Sequence, residues 1–283
     1  PVVRQWMKEY KIPAYDEDRG TGIVRHIMGR TGVHSGEIMV CIVTAVPMVP
    51  HMKELVQMLR KDVPGLTSVI QNINSRHTNV ILGNKTKVIY GSPTISDSIG
   101  DLSFRISAQS FFQVNSEQAQ KLYDTALSYA DLKGNETVVD VYCGTGTITL
   151  FLAKRAKFAY GIEIVEPAIR DAVKNAKDNG VKNANFMCGD AAYKLPELLR
   201  SGVKPDVIVI DPPRAGCEEK VLNAIASVKP KRVVYVSCNP ATLARDLAYM
   251  KTRGYETQKV QPVDMFPQTH HTEAVVLMSR VKD

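Results

Sequence analysis

The chain has 283 residues, 44% of them hydrophobic and 23% charged, enough for one large domain or two of ordinary size with a substantial core. That composition excludes a disordered tail, a collagen-like fibre and a disulfide-stapled miniprotein, and no apolar run approaches the roughly 18 residues that a membrane-spanning helix needs. A formal charge of +7 favours polyanionic partners, and the first 110 residues, with 13 Lys and Arg against 9 Asp and Glu, are the denser in positive charge. The chain starts at Pro1 with neither an initiator Met nor a basic-then-apolar leader, the pattern expected of a fragment or processed product. Its five cysteines (Cys41, Cys143, Cys188, Cys217, Cys238) are odd in number and form no C-x-x-C pair. A zinc knuckle or disulfide framework is therefore not expected, nor any metal site, and a reducing cytoplasm fits best.

In chain order, residues 1–106 read as short strands with one clear helix. The runs 22–30 and 37–44 flank Thr31–Gly36 as a hairpin. From His51 to Asp62, Met52, Leu55, Val56, Met58 and Leu59 recur at helical spacing, and Pro64-Gly65 ends the helix. Strands are expected at 66–73, 79–82, 87–90 and 102–106, giving an α+β domain with predominantly antiparallel connections. From Ser116 the rhythm changes. A helix to about Ala130, with the Ser116 hydroxyl as its cap, precedes strands at 137–142, 158–162, 184–187, 207–210 and 233–236. Helices at 147–154, 167–179, near Leu195, at 218–226 and at 240–251 separate those strands. Uniformly apolar strands between amphipathic helices imply a doubly wound parallel sheet, and residues 107–283 form this α/β domain. The last two strands, 257–262 and 273–279, are joined by a loop too short for a crossover helix and should pair antiparallel.

Ligands of such sheets collect at the carboxyl ends of the strands. Asp140-Val141-Tyr142-Cys143-Gly144-Thr145-Gly146 joins strand to helix with two glycines, but Thr149 stands where a dinucleotide fingerprint needs its third. Glu163 ends the next strand, 23 positions after Asp140, where a carboxylate can grip ribose hydroxyls, and Asp190 follows the third strand, where adenine contacts are expected. The series suggests S-adenosylmethionine rather than a nucleotide phosphate. After the fourth strand comes Asp211-Pro212-Pro213-Arg214, in which Arg214 offers a planar fork of donors suited to an oxyanion. After the fifth, Cys238 precedes Asn239-Pro240, a good N-cap and first helical residue, and the helix dipole should lower the thiol's pKa. Cys143 is the rival nucleophile, although its place in the cofactor loop suits packing.

Phe111-Phe112-Gln113-Val114-Asn115, Asp140–Gly146, Asp211–Arg214, Ser237–Pro240 and His271-Thr272-Glu273 resemble the signature series of the RNA 5-methyluridine (uracil-C5) methyltransferases. The forms Phe-Phe-Gln-Val-Asn and Ser-Cys-Asn-Pro-Ala-Thr-Leu-Ala-Arg-Asp resemble the branch that modifies 23S ribosomal RNA. The resemblance implies a Rossmann-like class I S-adenosylmethionine methyltransferase sheet, preceded by that branch's smaller central domain. The branch's usual OB-like RNA-binding domain and four-cysteine iron–sulfur region have no counterpart in these residues.

The resemblance also implies roles. Cys238 would be the nucleophile, Arg214 the oxyanion and base contact and Glu273 the proton acceptor; Gln113, Tyr142, Gly144, Glu163, Asp190 and Asp211 would line the cofactor pocket. His270 and His271 are alternative bases, expected to point to opposite sides of an extended chain. Arg25, His26, Arg30, His34, Arg76 and His77 form the candidate RNA-holding surface. The alternatives are a tRNA uracil-C5 methyltransferase, an exocyclic amino-group methyltransferase and a non-catalytic RNA-binding or assembly factor.

Overall fold

Short β-branched runs favour strands and amphipathic runs favour helices, and both patterns are realised in a computed structural model that describes residues 1–77 and 79–281. The chain divides into a unit of Pro1–Ser98 with Phe104–Ser110 and a unit of Ile99–Ser103 with Phe111–Asp283.

In the first unit α1 (Val2–Glu9) buries Val3 and Trp6, and Trp6 Nε1 donates to the His51 carbonyl at 2.8 Å. β1 (Val24–Thr31) and β2 (Ile38–Thr44) form the expected antiparallel hairpin. α2 (Met52–Asp62) buries Leu55 and Leu59 and carries the chain back to β3 (Leu66–Ile73), which therefore lies parallel to β2. This crossover departs from the otherwise antiparallel pattern, because a helix between two paired strands returns the second in the same direction. β4 (Lys85–Gly91) is antiparallel to β3, giving the order β1-β2-β3-β4, and β5 (Thr94–Ile99) pairs with β6 (Leu102–Ser107) in a separate ribbon. The strand expected at 79–82 does not form. Asn74 Nδ2 donates to the carbonyls of Val80 and Ile81 at 2.6 and 3.1 Å, and Asn72 brackets Gly83 in the same way, so side chains take the backbone groups a ladder would use.

The second unit opens with α3 (Ser116–Ala130). Its cap is Asn115, whose Oδ1 accepts from the Gln118 amide at 3.2 Å, and not the expected Ser116, whose hydroxyl is buried without a partner. There follow β7 (Thr137–Val141), α4 (Thr147–Ala153), β8 (Phe158–Glu163), α5 (Glu166–Asp178), β9 (Ala184–Cys188) and α6 (Ala191–Arg200). The chain continues through β10 (Val207–Ile210), α7 (Glu219–Val228), β11 (Arg232–Ser237), α8 (Pro240–Thr252), β12 (Tyr255–Val263) and β13 (Glu273–Arg280). The sheet order is β12-β13-β11-β10-β7-β8-β9, with β13 alone running against the others. Every residue of β10 is fully buried, and at roughly 1.5–3 kcal/mol per large aliphatic side chain this central strand fixes where Asp211 emerges. Strand order reverses at β7, which places the crevice at the carboxyl ends of β7 and β10. Among the described residues no helix is long and apolar enough to cross a membrane.

Candidate active site

The loop after β7 is turned by three left-handed residues, Tyr142 (φ 67°), Gly144 (φ 53°) and Gly146 (φ 83°). Left-handed backbone costs a residue with a Cβ about 1–2 kcal/mol, so Tyr142 must be held there by its surroundings. Its amide donates to the Ile162 carbonyl at 2.9 Å, and its hydroxyl lies 3.5 Å from Cys217 Sγ. At Gly146 a Cβ would also strike the Phe186 ring at 2.9 Å, whereas above Gly144 the space is open. Glu163 accepts from the amides of Gly144 at 3.2 Å and Val165 at 2.8 Å, which aims its carboxylate along the loop with lone pairs to spare. Asp190 caps α6 through the Ala192 amide and accepts from Lys220 Nζ at 2.8 Å, so both its oxygens are engaged.

Beneath the loop Asp140 is buried. One oxygen accepts from the Thr149 hydroxyl at 2.6 Å, the other has no partner, and burial pushes the carboxyl up to about 7. The residue that breaks the dinucleotide fingerprint thus holds an acid under the crevice. Cys143 is buried, and desolvation, with the charges of Asp140 and Glu163, raises its thiol well above the ordinary range.

On the other side of the switch point Asp211 follows β10. Burial pushes its carboxyl up to about 8, with the negative charges of Glu273 and Asp140 adding to the effect. Arg214 is exposed, and its carbonyl accepts from Asn239 Nδ2 at 3.0 Å and Thr242 Oγ1 at 3.3 Å. Cys238 follows β11, half-buried, with Asn239 capping α8 through the Ala241 amide at 3.0 Å and Pro240 in the first turn, as expected. The thiol is nevertheless raised and not lowered: burial and then the charges of Glu273 and Asp211 outweigh Arg214. A helix end supplies only about half a charge, too little against desolvation and two carboxylates.

Glu273 opens β13 with 7% exposure, its carboxyl raised by burial and lowered by Arg214. His270 and His271 do not diverge: their rings tilt together at 4.1 Å, because the segment bends and the His271 amide donates to Thr269 Oγ1. Among the described residues no group of three or more His, Cys, Asp or Glu could hold a metal ion.

Sequence reasoning passed over Tyr123. Its hydroxyl is hydrogen-bonded to Gln113 and lies in the field of Asp211, Asp140 and Glu273. A tyrosine on the buried face of α3 reads as ordinary core, and only the strand ends arriving around it give it a polar setting.

Part of the basic surface proposed for the first unit is committed to the fold. The Arg25 side chain is 1% exposed, donates to Glu17 at 2.8 Å and to the Asn74 and Arg76 carbonyls, and is thereby withdrawn from solvent. Burial lowers the pKa of Arg30, and His34 Nδ1 lies 3.3 Å from Asp97, which also accepts from the amides of Val33 and His34. His26, Arg76 and His77 remain on the surface, although Glu17 and Asp18 share the pocket of the two histidines.

A parallel sheet of this order with one reversed strand, a glycine loop after its first strand and an acid after its second defines the S-adenosylmethionine-dependent methyltransferase fold. Residues 34–281 match the family described as tRNA (Uracil-5-)-methyltransferase, and the chain belongs to that family of uracil-C5 RNA methyltransferases. It is 52% identical over 280 residues to an uncharacterized RNA methyltransferase of Caldanaerobacter subterraneus, covering 99% of this chain and 62% of that protein. An uncharacterized RNA methyltransferase of Bacillus cereus is 53% identical over 280 residues, 99% of this chain and 61% of its own length. The crystal structure of Pyrococcus abyssi tRNA (uracil-54, C5)-methyltransferase with S-adenosyl-L-homocysteine superposes with a TM-score of 0.81 at 29% identity, over 98% of this chain and 65% of that one. The chain thus spans about three fifths of the length of the curated relatives it matches.

Proposed function

We propose that this chain transfers a methyl group from S-adenosylmethionine to C5 of a uracil in RNA, with 23S ribosomal RNA as the target and the cytoplasm as the setting. The observation that carries the reading is the convergence of Cys238, Arg214 and Glu273 from three neighbouring strand ends, each within the electrostatic reach of the others. Uracil C5 is too weak a nucleophile to take a methyl group unaided. Addition of the Cys238 thiolate to C6 places the displaced electron pair on C5 and O4. The guanidinium of Arg214, whose backbone carbonyl is bonded to the Asn239 and Thr242 side chains at the start of α8, stabilises the charge on oxygen. The cofactor supplies an electrophilic methyl group when bound, and C5 takes it. Glu273 then removes the C5 proton, and the returning electron pair expels the thiolate. Glu163, Gly144, Tyr142, Gln113, Asp190 and Asp211 hold the cofactor. The base reaches Cys238 only when its nucleotide is unstacked, and residues 1–106 offer His26, Arg76 and His77 to the flanking RNA.

The motif forms at Phe111–Asn115 and Ser237–Asp246 support ribosomal RNA. A tRNA target is the second reading, and the Pyrococcus structure favours it. Incubating ribosomal and tRNA transcripts carrying 5-fluorouridine with enzyme and cofactor tests both. Fluorine does not leave as a proton does, so a stalled adduct is expected on Cys238 with the ribosomal transcript. An adduct on Cys143, or none, overturns the assignment; an adduct with tRNA alone moves the target.

A further inference from the structure

α8 carries Leu243 and Met250 into the core, and at the intervening position of the same apolar face it carries a carboxylate. Asp246 is 1% exposed, where an aliphatic side chain would cost no desolvation. We propose that Asp246 is a positioning residue that sets Arg214 in register with Cys238, an inference that rests on the reaction assigned above.

Its Oδ2 accepts from the Cys217 amide at 2.7 Å and from the Tyr235 hydroxyl at 2.6 Å. The first donor immediately follows the Pro213–Gly216 turn that carries Arg214, and the second stands three residues before Cys238 on β11. One oxygen atom therefore ties the oxyanion loop to the strand of the nucleophile. Its Oδ1 accepts from Arg245 Nε at 2.8 Å, and the same guanidinium donates to the Ala215 carbonyl at 3.0 Å. Gly216 shows how closely the loop is drawn in. At φ +79° a Cβ there would lie 2.7 Å from Asp246 Oδ2 and 2.5 Å from the Arg245 guanidinium. Cys217 carries the connection onward, its sulfur lying 3.5 Å from the hydroxyl of the strained Tyr142 in the cofactor loop.

A carboxylate suits this place because it accepts on both sides at once, and charge-assisted bonds are the short and strong ones. An asparagine keeps the shape but has one acceptor oxygen. Its amide group would face either Arg245 or the Cys217 and Tyr235 donors, and the loop must shift to avoid that clash of donors. Displacement of a catalytic group by about 1 Å lowers a rate by about 100-fold.

The test is single-turnover formation of the Cys238 adduct with 5-fluorouridine RNA, counted per folded molecule, alongside S-adenosylmethionine affinity by calorimetry. Asp246→Asn is expected to slow adduct formation by about 10- to 100-fold with cofactor affinity unchanged, and Arg245→Lys to slow the same step less. A merely structural residue would lower the folded fraction and leave the rate per folded site alone. Wild-type rates in Asp246→Asn overturn the proposal; should that variant not fold, wild-type rates in Arg245→Lys do so. If the wild-type protein itself forms no adduct, the reaction assignment falls first and this inference with it, whereas a wild-type adduct with unaltered variants removes the positioning role alone.

Discussion

Burial and the neighbouring acids Glu273 and Asp211 raise the thiol of Cys238, and that setting bears on how the site answers to pH. Burial, Glu273 and Asp211 all raise the thiol, so the thiolate fraction, and with it the rate of adduct formation, is expected to climb from neutral pH into the alkaline range. Stopped adduct assays across that range check it; a flat profile would mean that the thiolate is already formed. Cys238→Ala is expected to abolish both adduct and turnover while leaving cofactor binding intact by calorimetry. The carboxyls of Asp211 and Asp140, raised to about 8 and about 7, give a second pH effect. Between the ordinary carboxylate range and those values the folded protein binds more protons than the unfolded chain, so stability falls as pH rises through that window. Thermal midpoints of the cofactor-free protein should therefore carry a falling contribution from these carboxyls between about pH 4 and pH 8 that levels off above, and a cationic ligand beside the carboxylates should reduce the drop.

At the scale of elements, the strand-to-helix turn after β7 shows what could be read in advance. Two glycines after an apolar strand announced a tight strand-to-helix turn, and both are left-handed. Gly146→Ala is expected to cost about 2–4 kcal/mol, since a left-handed Cβ and a contact with Phe186 at 2.9 Å act together, and urea denaturation with cofactor titration measures the loss. The cap of α8 was equally legible, because Asn followed by Pro has one local meaning. The cap of α3 was not: Asn115 and Ser116 are both good caps, and the choice is made where Asn115 Nδ2 also reaches the Met265 carbonyl at 3.1 Å, 150 residues away. α1 and β5 escaped notice because their periodicity is short and, in β5, interrupted by the buried Asp97.

For the molecule as a whole, net charge was a poor guide to which cations face a polyanion. Arg25 looked available in sequence, yet its guanidinium is bonded to Glu17 and to two carbonyls. Arg25→Ala is thus expected to lower the stability of the first unit, by up to about 3 kcal/mol for a half-buried pair, and to leave the salt dependence of RNA binding as it was. Thermal melts and filter binding at several salt concentrations separate the two effects; a reduced salt slope would return Arg25 to the RNA surface.

The order of apolar strands and amphipathic helices, the glycine turn, the acids at strand ends and the Asn-Pro start of α8 were all present in the sequence, because each depends on neighbours within a few residues. The state of the Cys238 thiol, the polar setting of Tyr123, the withdrawal of Arg25 and the bonds of Asp246 belong to tertiary structure alone. Those properties arise from desolvation and from charges on segments distant along the chain, and only folding sets the distances between them.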